Sequence, residues 1–252
     1  MQKPLASRGY SLIVQQLPPN IRNVYRSTDV TRTGLVAKYV EKQSNELEVL
    51  EYLRTIRPQS LRIITLIDTV RTNTGTWAIL PQMRIFGDNL YVCSHSLLHG
   101  KYAQFGWDLI EGLAYLHKHG IAHLDIKPDN LVYTDDLRLQ IIDFDIAVRV
   151  KSEDDMIEGD CGTLDWMAPE IQEGRMFSPI RADRWSCGKM LLCFLEKGRT
   201  EDGELERLAK QLINEDPLHR PSLVDWLGQV DVTRTRRFLP SLLQPTMVPH
   251  AP

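Results

Sequence analysis

The chain has 252 residues, of which 42% are hydrophobic and 25% are charged, a composition typical of a globular protein with one or two cores. Its formal net charge of -3 gives no strongly basic surface of the kind that binds a nucleic-acid backbone, so the composition argues against a nucleic-acid partner. The first residues lack the pattern of a secretory signal and the longest apolar runs are too short to span a bilayer, so we expect an intracellular protein, cytoplasmic or nuclear, with no membrane partner.

The first third of the chain is dominated by β-strand patterns. Runs rich in β-branched and aromatic residues alternate with turn-forming segments and predict an antiparallel meander. One helix interrupts the strands, because Glu46, Leu50 and Leu53 recur at helical spacing and share one face. The predicted strands cover 10–17, 21–28, 35–40, 62–70 and 76–82, and the helix covers 45–56.

From Lys101 onwards the pattern becomes mainly helical. Four apolar residues repeat at helical spacing and predict a long helix that ends near Gly120. Short strands at 131–133 and 139–142 follow, and then helices over 183–198, 204–216 and 221–229. The sequence therefore predicts an α+β fold with a small antiparallel β lobe and one helix over 1–83, a larger and mostly helical lobe over 84–235, and a proline-containing tail over 236–252.

A polar loop, "HLDIKPDN" at His123–Asn130, follows the long helix and holds an aspartate, a lysine and an asparagine close together. Two further motifs come after it, "DFD" at Asp143–Asp145 and "APE" at Ala168–Glu170. In this order and at this spacing the three motifs resemble the catalytic loop, the metal-binding turn and the segment end of eukaryotic protein kinases of the serine/threonine type. Asp183 and Arg220 match two later motifs, so the resemblance covers roughly residues 10–230.

The resemblance implies a two-lobed protein-kinase-like fold, ATP and Mg²⁺ as cofactors, and a protein substrate. It implies that Asp125 accepts or orients the proton of the substrate hydroxyl and that Lys127 lies beside the transferred phosphoryl group. Asn130 and Asp143 would bind Mg²⁺, a hard cation that prefers carboxylate and amide oxygens.

The resemblance also implies a nucleotide site in the β lobe. Lys38, in "LVAKYV", would contact the ATP phosphates and be held by a glutamate of the helix. We assign that role to Glu46 rather than Glu48, because Glu46 shares the apolar face of the helix and points toward the lobe interior. The separation along the chain between Lys38 and Glu46 is shorter than the family usually shows, which predicts that the helix lacks its first turns.

The hinge between the lobes would follow Leu80. In the family, the next residue contacts adenine through its carbonyl group alone, so Pro81 is compatible with nucleotide binding. Met83 would offer both its N–H and its C=O group to the adenine ring.

Three features depart from the family pattern. No glycine-rich phosphate loop precedes Lys38, and Pro18 and Pro19, which have no backbone N–H, stand roughly twenty residues upstream where that loop is expected. Leu124 replaces an arginine that reads a phosphate on the activation segment. Asp145 replaces a glycine, which predicts a segment that flips less readily into an inactive state.

The activation segment is the part of the chain between the two later motifs, and it contains an acidic run before Cys161. The acidic run consists of Glu153, Asp154, Asp155, Glu158 and Asp160. We expect this run to replace the missing phosphate and to hold the segment through basic neighbours such as Arg149 and Lys151. Glu170 and Arg220 resemble the buried ion pair that fixes this segment to the helical lobe.

Several alternatives remain open from the sequence. The polar loop is also compatible with a solvated turn, and His117, His119 and His123 with a metal cluster, although their spacing suits zinc poorly. At the level of function, one alternative is a pseudokinase, a binding or scaffolding module with little turnover. The other is a small-molecule phosphotransferase, which shares the aspartate and asparagine chemistry but needs no segment for peptide docking.

Overall fold

The computed structural model describes residues 3–13, 20–28, 34–86, 98, 100–199 and 201–230. Its N-terminal part is a five-stranded antiparallel sheet with the strand order β1-β2-β3-β5-β4. The strands are β1 (Tyr10–Leu12), β2 (Ile21–Arg26), β3 (Leu35–Glu41), β4 (Asp68–Arg71) and β5 (Gly75–Pro81). Helix α2 (Glu46–Thr55) connects β3 to β4, as predicted, whereas helix α1 (Lys3–Ser7) has no counterpart among the predicted elements.

The two faces of this sheet pack against different partners. In β3, Leu35 and Ala37 face a small core that includes Leu5 of α1. Val40 belongs instead to the main core, together with Leu50 of α2. Because side chains alternate along a strand, Lys38 lies on the same side as Val40 and faces α2.

The C-terminal part is mostly helical. Its helices are α3 (Tyr102–Lys118), α4 (Pro169–Gln172), α5 (Pro179–Gly198), α6 (Gly203–Leu212) and α7 (Leu223–Gln229). Short strands form two small sheets, β6-β8-β9 and β10-β7, from β6 (Arg84–Ile85), β7 (Ile121–Ala122), β8 (Leu131–Tyr133), β9 (Leu139–Ile141) and β10 (Val148–Arg149). The main core runs from α2 through β8 and β9 to α3, α5, α6 and α7, so it joins both parts of the chain. The α+β, two-lobed architecture predicted from the sequence is confirmed.

Two predicted boundaries were wrong. The strand predicted over 62–70 begins only at Asp68, because Arg62 and Ile64 hydrogen-bond instead to the backbone of Ile141 in β9, at 2.8 and 3.1 Å. These residues extend the edge of the sheet in the helical lobe, and an apolar run cannot reveal which sheet edge it will join. The helix predicted over 204–216 ends at Leu212, before the acidic and proline-containing turn.

Two other predictions lie partly or wholly outside the described residues. The part of the first predicted strand over 14–17 and the tail over 236–252 lie outside the described residues. Within the part of the chain that the structure describes, no helix is both long enough and apolar enough to cross a membrane.

Candidate active site

Asp125 lies at the centre of a hydrogen-bonded network in the loop between β7 and β8. Asn130 Nδ2 donates to Oδ2 of Asp125 at 2.8 Å, and Lys127 Nζ lies 2.8 Å from the same oxygen. The Thr163 hydroxyl donates to Oδ1 at 2.7 Å and accepts a hydrogen bond from Lys127 Nζ at 2.8 Å. The structure thus brings together the three predicted catalytic residues, and contacts on both oxygens fix the orientation of the Asp125 carboxylate.

A second, fully buried aspartate holds the backbone of this loop. Asp183, in α5, accepts hydrogen bonds from the backbone N–H groups of His123 at 2.6 Å and of Leu124 at 2.7 Å. Leu124 has φ of 66°, a left-handed conformation that is uncommon for leucine. The two consecutive hydrogen bonds therefore stabilise a backbone turn that the loop sequence would not favour alone.

Asp143 lies two residues after the end of β9 and reaches both lobes. The backbone N–H of Ile142 donates to the carbonyl of Asn130 at 3.0 Å, which places Asp143 next to the Asp125 loop. Asp143 has φ of 67°, which aspartate tolerates better than most residues, and its Oδ1 lies 2.7 Å from Lys38 Nζ. The buried Phe144 ring, 5.0 Å from the His123 ring, anchors the turn in the core.

Lys38 and Glu46 form the ion pair that the sequence predicts. Lys38 Nζ lies 2.7 Å from Glu46 Oε2, and Glu46 is the first residue of α2 and is buried. Burial raises the pKa of Glu46 to about 7, against the opposing effect of the Lys38 ammonium group, and the carboxylates of Asp145 and Asp143 add to the rise. Although burial acts in the opposite direction, the carboxylates of Glu46 and Asp143 raise the pKa of Lys38, so this lysine stays charged.

A family model described as a protein kinase domain matches residues 23–200 of the chain, which is well over half of its length. The chain belongs to the protein kinase family. The match includes the Lys38–Glu46 pair, the Asp125 loop and Asp143, so it covers the geometry described above.

Curated relatives of the chain are protein kinases, and several of them are named as serine/threonine kinases. The chain is 29% identical over 149 residues to the SNF1-like protein kinase ssp2 of Schizosaccharomyces pombe, which covers 58% of this chain and 25% of the relative. It is 33% identical over 153 residues to the serine/threonine-protein kinase GIN4 of Saccharomyces cerevisiae, covering 58% of this chain and 13% of the relative. It is 28% identical over 172 residues to the serine/threonine-protein kinase shk1/pak1 of Schizosaccharomyces pombe, covering 68% of this chain and 24% of the relative. The chain thus spans about a quarter or less of the length of these kinases.

The side chains proposed to bind Mg²⁺ have suitable donor atoms. Asn130 uses its amide nitrogen for both of its side-chain hydrogen bonds to Asp125, so the amide atom left for a hard cation is the oxygen. The Asp143 side chain is 36% exposed and carries a carboxylate next to Lys38. These two residues fit a Mg²⁺ site of the kind that needs few protein ligands and takes its other oxygens from phosphates and water.

The predicted hinge residues, Pro81 and Met83, lie at the end of β5 and just after it. Pro81 is the last residue of β5 and pairs with Leu35 of β3, while Met83 is half-buried against the main core. The N–H group of Gln82 donates to the carbonyl of Gly34 at 3.1 Å, which ties the hinge to the start of β3. The nucleotide contacts of Pro81 and Met83 stay a prediction, and Pro18 and Pro19 lie outside the described residues.

Two residues of the acidic run, Glu153 and Asp154, pair with arginines other than the one expected from the sequence. Glu153 pairs with Arg184 and lies 3.2 Å from Arg181 Nη2, both in α5, and Asp154 lies 2.6 Å from the same Arg181 atom. Arg149 instead stacks on the ring of Tyr52 in α2, with 3.9 Å between the guanidinium carbon and the ring centroid. The prediction of Arg149 was wrong, because long-range packing places two buried arginines of α5, Arg181 and Arg184, under the segment.

Lys151, the other basic residue expected to hold the run, contacts it through the backbone. Its N–H donates to Asp155 at 2.6 Å in a local turn. A turn of this type orders the segment itself but does not attach it to the helical lobe.

The predicted Glu170–Arg220 pair is confirmed. Arg220 Nη1 and Nη2 lie 2.6 and 2.8 Å from the two oxygens of Glu170, and both residues are 1% exposed. The arginine also donates to backbone carbonyls of Asn214 and Arg181. The pair joins the end of the activation segment to α5 and to the turn before α7, and its role is structural.

The three histidines do not support a metal cluster. His117 hydrogen-bonds to Asp183, while His119 bonds to the carbonyl of Tyr115 and His123 to the carbonyl of Ile142. Each ring therefore has its own partner within the helical lobe.

Two site residues were missed by the sequence analysis. Thr163 reaches Asp125 across 38 positions of the chain, and only its place in "CGTLDWMAPE" hints at a role. Asp145 was considered for its backbone, yet its backbone lies outside the left-handed region and its side chain makes the contacts. The sequence feature that indicates a role for the Asp145 side chain is the replacement of a glycine by a residue that can accept hydrogen bonds.

Proposed function

We propose that the chain transfers the γ-phosphoryl group of ATP to serine or threonine hydroxyls of protein substrates. The observation that carries the proposal is the Asp125 network, in which Asn130, Lys127 and Thr163 orient one carboxylate through both of its oxygens. Phosphoryl transfer needs mainly positioning and charge neutralisation, and this site offers a fixed base beside a lysine ammonium group.

Each residue has a defined task in this proposal. Asp125 accepts the proton of the substrate hydroxyl, and Lys127, held 2.8 Å from Asp125, places its positive charge where the transferred group passes. Lys38 binds the nucleotide phosphates, and Asn130 and Asp143 bind Mg²⁺. When bound, ATP would supply the phosphoryl group and Mg²⁺ would neutralise part of its negative charge.

The surface next to Thr163 supports a protein substrate over a small molecule. An open cavity of about 630 Å³ lies beside it, with Leu164, Met167 and Ile171 as apolar lining and Glu158 and Asp160 at the acidic edge. A polypeptide with apolar and basic side chains near the acceptor hydroxyl complements this lining. The expected lack of nucleic-acid and membrane partners stays a prediction, and so does the intracellular location.

The decisive test is turnover on a protein. Purified chain is incubated with labelled ATP, Mg²⁺ and a generic basic protein, and the incorporated label is resolved by phosphoamino-acid analysis. Label on serine or threonine, absent with Asp125→Asn, supports the proposal. ATP binding without turnover on any protein would favour the pseudokinase, and label on small acceptors alone would favour the small-molecule phosphotransferase.

We expect nucleotide binding to depend on Mg²⁺ and on Asp143. When ATP is about 100-fold above its Kd, linkage predicts about 2.7 kcal/mol of stabilisation. Thermal-shift titrations with and without Mg²⁺ measure it, and Asp143→Asn should lose the Mg²⁺-dependent part. Asp135→Asn, at an aspartate whose side chain is 93% exposed, is the matched control. Equal shifts with and without Mg²⁺ in the wild type would contradict the metal role.

We also expect activity without phosphorylation of the activation segment. Glu153 already pairs with Arg184 and Arg181, so a fixed carboxylate supplies the contact that an added phosphate would make. Phosphatase-treated protein should keep its rate within about twofold, whereas Glu153→Ala should lower it by roughly tenfold. Glu173→Ala, at an exposed glutamate of the same region, is the control. A large loss after phosphatase treatment, restored by autophosphorylation, would rule this out.

A further inference from the structure

The start of α2 is attached to the residues that follow Asp143. The hydroxyl of Ser44 donates to Asp145 Oδ1 at 2.7 Å. The side-chain amide of Asn45 donates to the carbonyl of Ala147 at 3.0 Å. These two contacts, together with the Arg149 stacking on Tyr52, connect one end of the activation segment to successive points along α2.

The local sequence of α2 makes this attachment informative. Asparagine at the N-cap position commonly accepts a hydrogen bond from its own helix, yet Asn45 makes no such cap and donates to Ala147 instead. The hydroxyl of Ser44 accepts the N–H of Glu46 at 3.1 Å and so takes part of the capping role while donating to Asp145. Both side chains before the helix are therefore used to position its first residue, Glu46.

We propose that Asp145 is a positioning residue that acts through Ser44, holding the first turn of α2 so that Glu46 stays paired with Lys38 in the isolated chain. This contact, called here the Ser44–Asp145 latch, needs no added phosphate and no second protein. Its importance for ATP rests on the proposed function, because it assumes that Lys38 binds the nucleotide phosphates.

Asp145 also contacts Lys38 directly, at 3.4 Å, so the test must separate the two contacts. The oxygen atoms of Glu46, Asp143 and Asp145 lie within 4.8 Å of one another around the lysine. In Asp145→Asn the amide oxygen can still accept from Ser44, while the ion pair with Lys38 is lost. In Asp145→Ala both contacts are lost.

The first measurement is hydrogen exchange of a peptide covering 44–56, in the absence of ATP. Ser44→Ala and Asp145→Ala should each raise the exchange rate of the first turn of α2 by about three- to tenfold, the range expected for one net hydrogen bond. The effect in the double variant should be smaller than the product of the two single-variant effects, because both single variants remove the same contact. Asp145→Asn should stay close to wild type, and Ser7→Ala and Asp135→Ala, both exposed, serve as controls.

The design separates the latch from simple capping. If Ser44 only caps α2, the effects of Ser44→Ala and Asp145→Ala multiply in the double variant, and the proposal is overturned. Unchanged exchange in either single variant overturns it as well.

Turnover provides the second measurement. The KM for ATP should rise by about three- to tenfold in Ser44→Ala, with kcat less affected, because the latch positions a binding pair rather than the base. Wild-type protein without turnover but with non-multiplicative exchange effects would retain the latch and reject the proposed enzyme. Turnover in the wild type, with multiplicative exchange effects and an unchanged KM in Ser44→Ala, would retain the enzyme and reject the latch.

Discussion

Replacement of Asp125 by alanine is expected to lower turnover by about two orders of magnitude or more while leaving nucleotide affinity near that of the wild type. The reason is that, in the proposed function, the carboxylate acts on the substrate hydroxyl in the transition state, whereas Lys38 and the metal would bind ATP. Steady-state kinetics with a protein substrate and thermal-shift titration with ATP measure the two quantities.

Two variants make this result specific to the carboxylate. Asp129→Ala removes an exposed aspartate from the same loop and should keep the wild-type rate. Asp125→Asn keeps an oxygen for the Thr163 hydroxyl but cannot accept a proton, so it should lose turnover with less change in stability. If Asp125→Ala and wild type turn over at equal rates, the loop is a polar turn without a catalytic base.

Local periodicity predicted the parts of the site that lie within one element. The apolar face of α2 selected Glu46 over Glu48, and the structure buries Glu46 next to Lys38. Lys38 itself was assigned from the resemblance to the family, and the alternation of side chains in β3 explains why it lies on the face toward the helix. Such predictions succeed because the burial of an apolar face fixes the direction of its polar neighbours.

Contacts between distant elements could not be predicted where the family resemblance offers no motif for them. The acidic run was assigned to Arg149, which is near in the chain, whereas Glu153 pairs with Arg181 and Arg184 of α5. Thr163 reaches Asp125 over a similar range of sequence. The charge pattern alone identifies which residues need partners of opposite charge, but the packing of α5 against the segment determines which partners they contact.

The strongest expected effect on stability is at Arg220. Arg220→Met should lower the free energy of unfolding by about 3–5 kcal/mol, because it leaves the Glu170 carboxylate buried without its partner. Urea denaturation of both proteins measures the difference. The matched control is Arg175→Met, which removes an ion pair of the same length, 2.6 Å, whose side chains are 53% and 59% exposed, and it should cost at most about 1 kcal/mol.

A double variant tests the cause of that loss. Arg220→Met combined with Glu170→Leu removes both charges and should recover part of the stability, since most of the single-variant effect comes from the unpaired carboxylate. The recovery should be incomplete, because Arg220 also donates to the carbonyls of Asn214 and Arg181, which the methionine cannot satisfy. Equal losses in Arg220→Met and Arg175→Met would show that burial of the Glu170–Arg220 pair does not determine its contribution to the free energy of unfolding.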